Sequence, residues 1–366
     1  MLPHFDGTGD PSPTQKRTMG NVGGGLLDDP QKRTTMLIYK SACYDEFHCI
    51  ASGCPDSCCK EWEVLVDAST ADIYRGLPGP LGDDLRRVLR DEEDGTYLTI
   101  EDGRCPMWRQ DGLCRIQAEL GEAALCQTCR DFPRLRHDYG SFQEWGLELS
   151  CPEAARRMLQ HPWRPNSVTE IPGGEPGDYD SEAMASLLTT RQTAHTLLAD
   201  TARPMGQTLA LVLLYGCQAQ SELDGGEAAS FDVAFALADA RAMAKPGSVS
   251  AMGDFFSHLE ILTPEWEEAL GHLTVRPWDS RTLPLMGYLI DRYWLQAVSD
   301  YDLYSRVKFL VVACLVIRYL PGDFLRRAQL FSKEVENNAE NLDALLDAAY
   351  THSAFTDDKI LGLLLG

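Results

Sequence analysis

From residue 208 onward, apolar side chains recur three and four positions apart. This is the spacing that gathers them on one face of an α-helix. The pattern predicts helices over 208–218, 228–244, 252–270, 283–298, 303–319, 323–337 and 341–350. Pro264, Pro277, Pro284 and Pro321 mark breaks. The leucine-rich ending at 360–365 reads as a packed terminal helix rather than an anchor. No fixed-period repeat is present, so residues 181–366 are expected to form a compact α-helical domain rather than a solenoid.

Between Tyr39 and His161 the pattern is different, with short elements and frequent cysteine. Stretches 62–66 and 97–100 read as short strands, and 83–90 and 113–120 as short helices, the second stopped by Gly121. Residues 135–149 read as a hairpin turning at Asp138-Tyr139-Gly140, and Pro152 suits the first position of a helix running to about residue 160. None of these elements is long enough to bury much surface alone, so metal is expected to supply stability. Prolines and glycines crowd 162–180, a linker or long loop. Residues 1–35 read as a disordered leader; Gln15-Lys16-Arg17-Thr18-Met19 echoes Gln31-Lys32-Arg33-Thr34-Thr35-Met36, and Met36 is the expected true start. The expected fold class is α+β, mainly α. A small cysteine-rich metal-binding domain at 36–161 precedes the helical domain.

Composition narrows the function. A 44% hydrophobic chain of 366 residues can build a real core. With 33 Lys+Arg against 55 Asp+Glu, the formal net charge of −22 argues against nucleic acid or an anionic membrane as partner. The longest apolar runs, 209–216 and 309–319, fall short of the roughly 20 residues a bilayer demands. Of the 12 cysteines, all but Cys217 and Cys314 lie between Cys43 and Cys151. The leader lacks a secretory h-region, so reduced, cytoplasmic thiols are expected, and crowded reduced thiols point to metal.

The spacing is Cys49-x4-Cys54-x3-Cys58-Cys59, then Cys105-x8-Cys114, Cys126-x2-Cys129 and Cys151, with Cys43 upstream. The density is too high for simple core use. Structural zinc is one reading, although only Cys126-x2-Cys129 has knuckle spacing. An iron–sulfur cluster accepts all-cysteine ligation at irregular spacing and is the favoured reading; spacing alone does not separate iron from zinc. Neighbouring side chains diverge, so Cys58 and Cys59 are expected to serve different sites or faces. The CxxxCxxC pattern of radical S-adenosylmethionine enzymes fails, because Glu61 stands where its third cysteine belongs. No GxGxxG follows a strand.

The run Phe47-His48-Cys49-Ile50-Ala51-Ser52-Gly53-Cys54-Pro55-Asp56-Ser57-Cys58-Cys59-Lys60-Glu61-Trp62 closely resembles the flagellin lysine N-methylase family, itself similar to the broader cysteine-cluster proteins of bacteria. The likeness continues through Gly103-Arg104-Cys105-Pro106, Leu113-Cys114-Arg115-Ile116, Leu120-Gly121, Cys129-Arg130-Asp131-Phe132-Pro133-Arg134 and Leu149-Ser150-Cys151-Pro152-Glu153. It covers about 43–160, in order. The resemblance implies a cytoplasmic bacterial enzyme that moves methyl groups from S-adenosylmethionine to lysines of flagellin or another surface protein. It also implies an iron–sulfur cluster, of the 4Fe–4S type, with zinc as the alternative. The matching ligands are Cys49, Cys54, Cys58, Cys59, Cys105, Cys114, Cys129 and Cys151; Cys43 and Cys126 fall outside the pattern as accessory or free thiols.

Lysine methylation needs a neutral amine in line with a methyl sulfonium, so a site must take up the ammonium proton. Asp56, Glu61, Tyr139 and Glu153 are candidates near the cysteines, each with an ordinary reading as cap, surface charge or core phenol. No catalytic base and no donor-binding residue follows from the sequence. Arg134 could hold a ligand carboxylate or make a surface ion pair. Trp62 and Trp108 could stack on an adenine or pack a core, and His48 and His137 read as structural. The alternative function is a non-enzymatic zinc or iron–sulfur module, or cluster carrier, that docks a partner. A redox enzyme is a third reading. The length of the helical half favours an enzyme over a carrier.

Overall fold

The computed structural model describes residues 35–60 and 63–366. The leader expected at 1–35, Thr35 aside, and Glu61 and Trp62 lie outside the described residues.

Strand β1 (Thr35–Lys40) opens the fold, followed by β2 (Val64–Val66), α1 (Ala68–Gly76), α2 (Gly79–Val88), β3 (Leu89–Asp91) and β4 (Thr96–Leu98). Then come α3 (Arg115–Leu120), α4 (Gln127–Asp131), the hairpin strands β5 (Arg134–Asp138) and β6 (Phe142–Leu147), α5 (Pro152–Leu159) and β7 (Ser167–Pro172). The remainder is helical: α6 (Ser181–Leu198), α7 (Met205–Leu223), α8 (Val233–Met243), α9 (Val249–Phe256), α10 (Pro264–Leu270), α11 (Thr282–Tyr293), α12 (Leu303–Tyr319), α13 (Phe324–Phe331), α14 (Ala339–Thr351) and α15 (Asp357–Leu365). The chain is α+β and mainly α, as its periodicity predicts.

Two small sheets organise the first half. One has the order β5-β6-β1-β7, with β1 parallel to β6 and antiparallel to β7; the other has the order β2-β4-β3. The stretch expected to be a linker therefore contains β7, paired along its whole length with β1 from Thr35↔Pro172 to Lys40↔Ser167. Its Pro/Gly cluster begins at Pro172, the last paired residue.

The short elements also bury more than their lengths suggest. Val64, Tyr74, Leu85, Val88, Leu98, Met107 and Ile116 form a core of their own under the second sheet. This segment thus has an apolar core of its own. The larger core surrounds α12, whose side chains are buried on every face, and it takes in Phe142, Leu149, Ala155 and Leu159 from the cysteine-rich half. The core therefore runs across the boundary expected at 161. Gly216 of α7 lets α12 approach closely, since a Cβ there would meet the Val307 side chain at 2.5 Å.

After α13 the chain makes a π-helical turn, Ser332–Glu336, within the stretch expected as one helix over 323–337. Such turns widen the backbone and re-aim side chains. Here Lys333, Asn337 and Asn338 line a cavity between the two halves of the chain.

Candidate functional site

The first cysteine group rides on a loop, 41–60, between β1 and β2. Within it Ala51–Gly53 makes one 3₁₀ turn, and the Ala51 N–H donates to Cys49 Sγ at 3.4 Å. The Cys105 N–H donates to the Cys59 carbonyl at 2.8 Å, which brings the second group alongside the first. Cys114, Cys126 and Cys151 each stand just before a helix, and Gly121, at φ 87°, ends α3 before the turn into Cys126.

The cysteines gather around two cavities. A small one of about 20 Å³ is walled by Cys58, Cys59, Cys105, Cys114, Cys126 and Cys129 together with apolar side chains that include Tyr74, Leu98 and Met107. A larger one of about 450 Å³ is lined by Cys49, Cys54, Cys58, Cys59, Cys114, Cys129 and Cys151. All eight cysteines expected as ligands face one cavity or both. Cys126, outside the expected pattern, faces the small one. Cys43 faces neither and donates to the Arg157 carbonyl at 3.4 Å. Cys217 and Cys314 sit in α7 and α12, as expected of small hydrophobes.

No three or more His, Cys, Asp or Glu side chains among the described residues are grouped so as to hold a metal ion as they stand. The donor chemistry is nonetheless uniform: among the described residues the small cavity offers thiols and mostly apolar walls, with no carboxylate or imidazole. Burial pushes the Cys105 thiol up to about 11 and Cys151 up to about 12. The hydrogen bond between Cys126 and Cys129 lowers the first and raises the second. A thiol hydrogen bond between Cys58 and Cys59, reinforced by burial, raises Cys58. Crowded buried thiolates repel one another, and a thiophilic cation relieves that repulsion. The donor set suits zinc or iron–sulfur ligation.

The opposite wall of the larger cavity comes from the helical half: Leu262, Thr263, Gln329, Lys333, Asn337 and Asn338. One buried carboxylate joins the halves. Asp56 lies 2.8 Å from Lys60, 2.8 Å from Arg326 and 2.9 Å from Lys333, and accepts from Gln329 Nε2 at 2.9 Å. Burial raises its pKa, but the hydrogen bonds from Lys60, Lys333 and Arg326 outweigh burial and hold the carboxyl far below the usual range. Gln329 also reaches the Ser150 carbonyl at 3.1 Å, next to Cys151. Asn337 donates to Glu148 at 2.9 Å.

Of the other expected candidates, Arg134 and His48 line the larger cavity. Tyr139 stacks on Phe142 at 4.8 Å and packs against the main core, so it is a core phenol. Glu153 is held by Arg156 and Arg157, each at 2.6 Å, as a helix ion pair. Trp108 lies under the Arg104 guanidinium at 4.0 Å and faces neither cavity. His137 faces neither cavity and serves the fold. Sequence reasoning missed Lys60, Arg130, Gln329, Lys333, Asn337 and Asn338. The helical contributors follow no motif; Gln329 reaches the cavity from α13, and Lys333, Asn337 and Asn338 from the π turn and the residues just after it.

The chain is 32% identical over 137 residues to a flagellar biosynthetic protein FliU of Salmonella muenchen, an overlap covering 35% of this chain and 79% of that protein. It is also 32% identical over 137 residues to proteins named lysine-N-methylase in Salmonella typhimurium and Salmonella choleraesuis, and there the match spans only 33% of each relative's length. No family model and no solved structure matches the chain.

Proposed function

Because the chain belongs to the flagellin lysine N-methylase family, we propose that it is a protein-lysine N-methyltransferase using S-adenosylmethionine, with flagellin as its substrate. The observation that carries the reading is the cavity of about 450 Å³, bounded by thiols on one side and by polar side chains of the helical half on the other. That volume suits a nucleoside-sized ligand with a lysine side chain beside it.

In the reaction the lysine ammonium first gives up a proton to solvent water as it enters the cavity. The amine lone pair then forms a bond to the methyl carbon, and the methyl–sulfur bond breaks with its electron pair passing to sulfur, leaving a neutral thioether. The cavity walls hold amine and methyl carbon in line and exclude water. Asp56 is saturated by cations, so its part is to tie the Cys54–Cys58 loop to α13 and the π turn rather than to accept the proton.

The proposed metal ligands are drawn from Cys49, Cys54, Cys58, Cys59, Cys105, Cys114, Cys129 and Cys151, four thiolates to each iron–sulfur cluster, with zinc as the alternative. Such a cluster, when bound, supplies a compact polyvalent centre that fixes its thiolate ligands and can hold or pass an electron. Among the described residues no helix is long and apolar enough to cross a membrane; a cytoplasmic location is part of the proposal.

The test is to purify the full chain without oxygen and incubate it with methyl-labelled S-adenosylmethionine and flagellin. Label on lysine nitrogen is the expected result. Protein that holds its full metal complement yet labels no lysine overturns the reading. Iron and sulfide in comparable amounts are expected in the same preparation; stoichiometric zinc in a colourless, active preparation would replace the cluster with zinc.

A further inference from the structure

The chain carries a net charge of −22, yet among the described residues the larger cavity, its thiols aside, is lined by more basic than acidic side chains. Among the described residues Lys60, Arg130, Arg134 and Lys333 line it, with Asp56 and Glu122 as the acidic side chains. Lys60 and Lys333 are committed to Asp56. The two arginines are different. Arg130 makes one long contact, from Nη1 to the Leu125 carbonyl at 3.5 Å. Arg134 donates from Nη2 to the Phe47 carbonyl at 3.4 Å and lies 5.3 Å from the centre of the Phe47 ring. Neither has a carboxylate partner among the described residues, in a protein where most arginines do.

This pattern is that of a prepared anion site. A guanidinium held against an aromatic ring keeps several N–H donors in a fixed plane, and that plane matches a carboxylate. We infer that Arg134 and Arg130 bind a carboxylate of the ligand that fills this cavity, and that the carboxylate is the one on the amino-acid end of the methyl donor. This identification rests on the methyltransferase reading above. The geometry fits it: Arg130 follows Cys129 and Arg134 begins β5, so the anion site adjoins the thiol wall, and Lys333, Asn337 and Asn338 face it from the helical half.

The experiment measures equilibrium binding to the full, metal-loaded chain by calorimetry. Its two probes are S-adenosylhomocysteine, which carries the carboxylate, and 5′-methylthioadenosine, which lacks it. The wild type is expected to prefer the first probe. Arg134→Gln is expected to weaken the first by about tenfold, the loss of one charge-assisted hydrogen-bonding partner, and to leave the second unchanged, with Arg134→Lys recovering part of the loss. Arg134 also steadies Phe47, so Arg130→Gln provides a second variant at an exposed position whose hydrogen bond is the long contact to the Leu125 carbonyl. Loss of affinity for the first probe alone in either variant supports the inference. If both variants bind both probes as the wild type does, the carboxylate lies elsewhere and the inference fails while the methyltransferase reading stands. If the wild type binds neither probe, the donor assignment fails and the inference falls with it.

Discussion

At the scale of single residues, Asp56 is the position where one change should cost most. Its side chain is 4% exposed and faces Lys60, Arg326 and Lys333. Asp56→Asn would leave these cations without their counter-charge, and removing one member of a buried ion pair costs about 3 kcal/mol. Asp83→Asn, which breaks only the exposed pair with Arg86, should cost under about 1 kcal/mol. Urea denaturation of both variants checks the contrast, and equal losses would contradict it. Nothing in the sequence marked Asp56 as this hub, because three of its partners, Arg326, Gln329 and Lys333, lie 270 to 277 residues away on α13 and the π turn. The thiols were legible, since their density and order in 43–151 carry the signal on their own.

His137 gives a pH prediction. Its Nε2 is buried without a partner, and burial, helped by the nearby positive charge of Arg292, lowers its pKa from 6.5 to about 4. The unfolded chain therefore takes up a proton near pH 6.5 that the folded chain refuses until near pH 4. The stability contributed by neutral His137 is complete above the higher value and drains as pH falls toward the lower one. The His137→Gln variant should lose less stability than wild type between about pH 7 and about pH 5, read from urea midpoints. An identical loss in both would show that His137 is not responsible.

At the scale of elements, α12 matches its expected span residue for residue, because a long apolar run with a capping aspartate, Asp302, can only be a buried helix. Helix α6 was not legible. Its threonines at 189, 190, 193 and 196 lower helix propensity, and in the structure each hydroxyl bonds back to a carbonyl four residues earlier. Its buried face also carries Arg191 and His195, which pair with Glu144 and Asp291 and read as polar in one dimension. Strand β7 is polar and exposed, so only its pairing with β1 defines it. These elements make a prediction about thiols. Cys314→Ala in α12 and Cys217→Ala in α7 should cost roughly 1 kcal/mol of packing and leave metal content unchanged. Cys54→Ala, Cys58→Ala, Cys114→Ala or Cys129→Ala should lower metal content and destabilise residues 43–160 together. Metal analysis with thermal melts decides between them; loss of metal from the helical variants would place ligands in the wrong half.

At the scale of the molecule, the two halves are joined by a shared core and by Asp56, and the cavity lies at their junction. Its thiol wall could be expected from the sequence, whereas its polar wall depends on how α13 and the π turn fold back onto the cysteine loops. The acidic balance of the chain suits a lysine-bearing partner, and the basic side chains of the cavity suit a donor with a carboxylate. The central claim is that methyl transfer takes place in this cavity. The most direct measurement is an experimental structure of the metal-loaded chain with S-adenosylhomocysteine bound. The account predicts the nucleoside between the Cys54 and Cys151 wall and the Lys333–Asn338 wall, with its carboxylate at Arg134. Density for the nucleoside at any other place on the chain would contradict it.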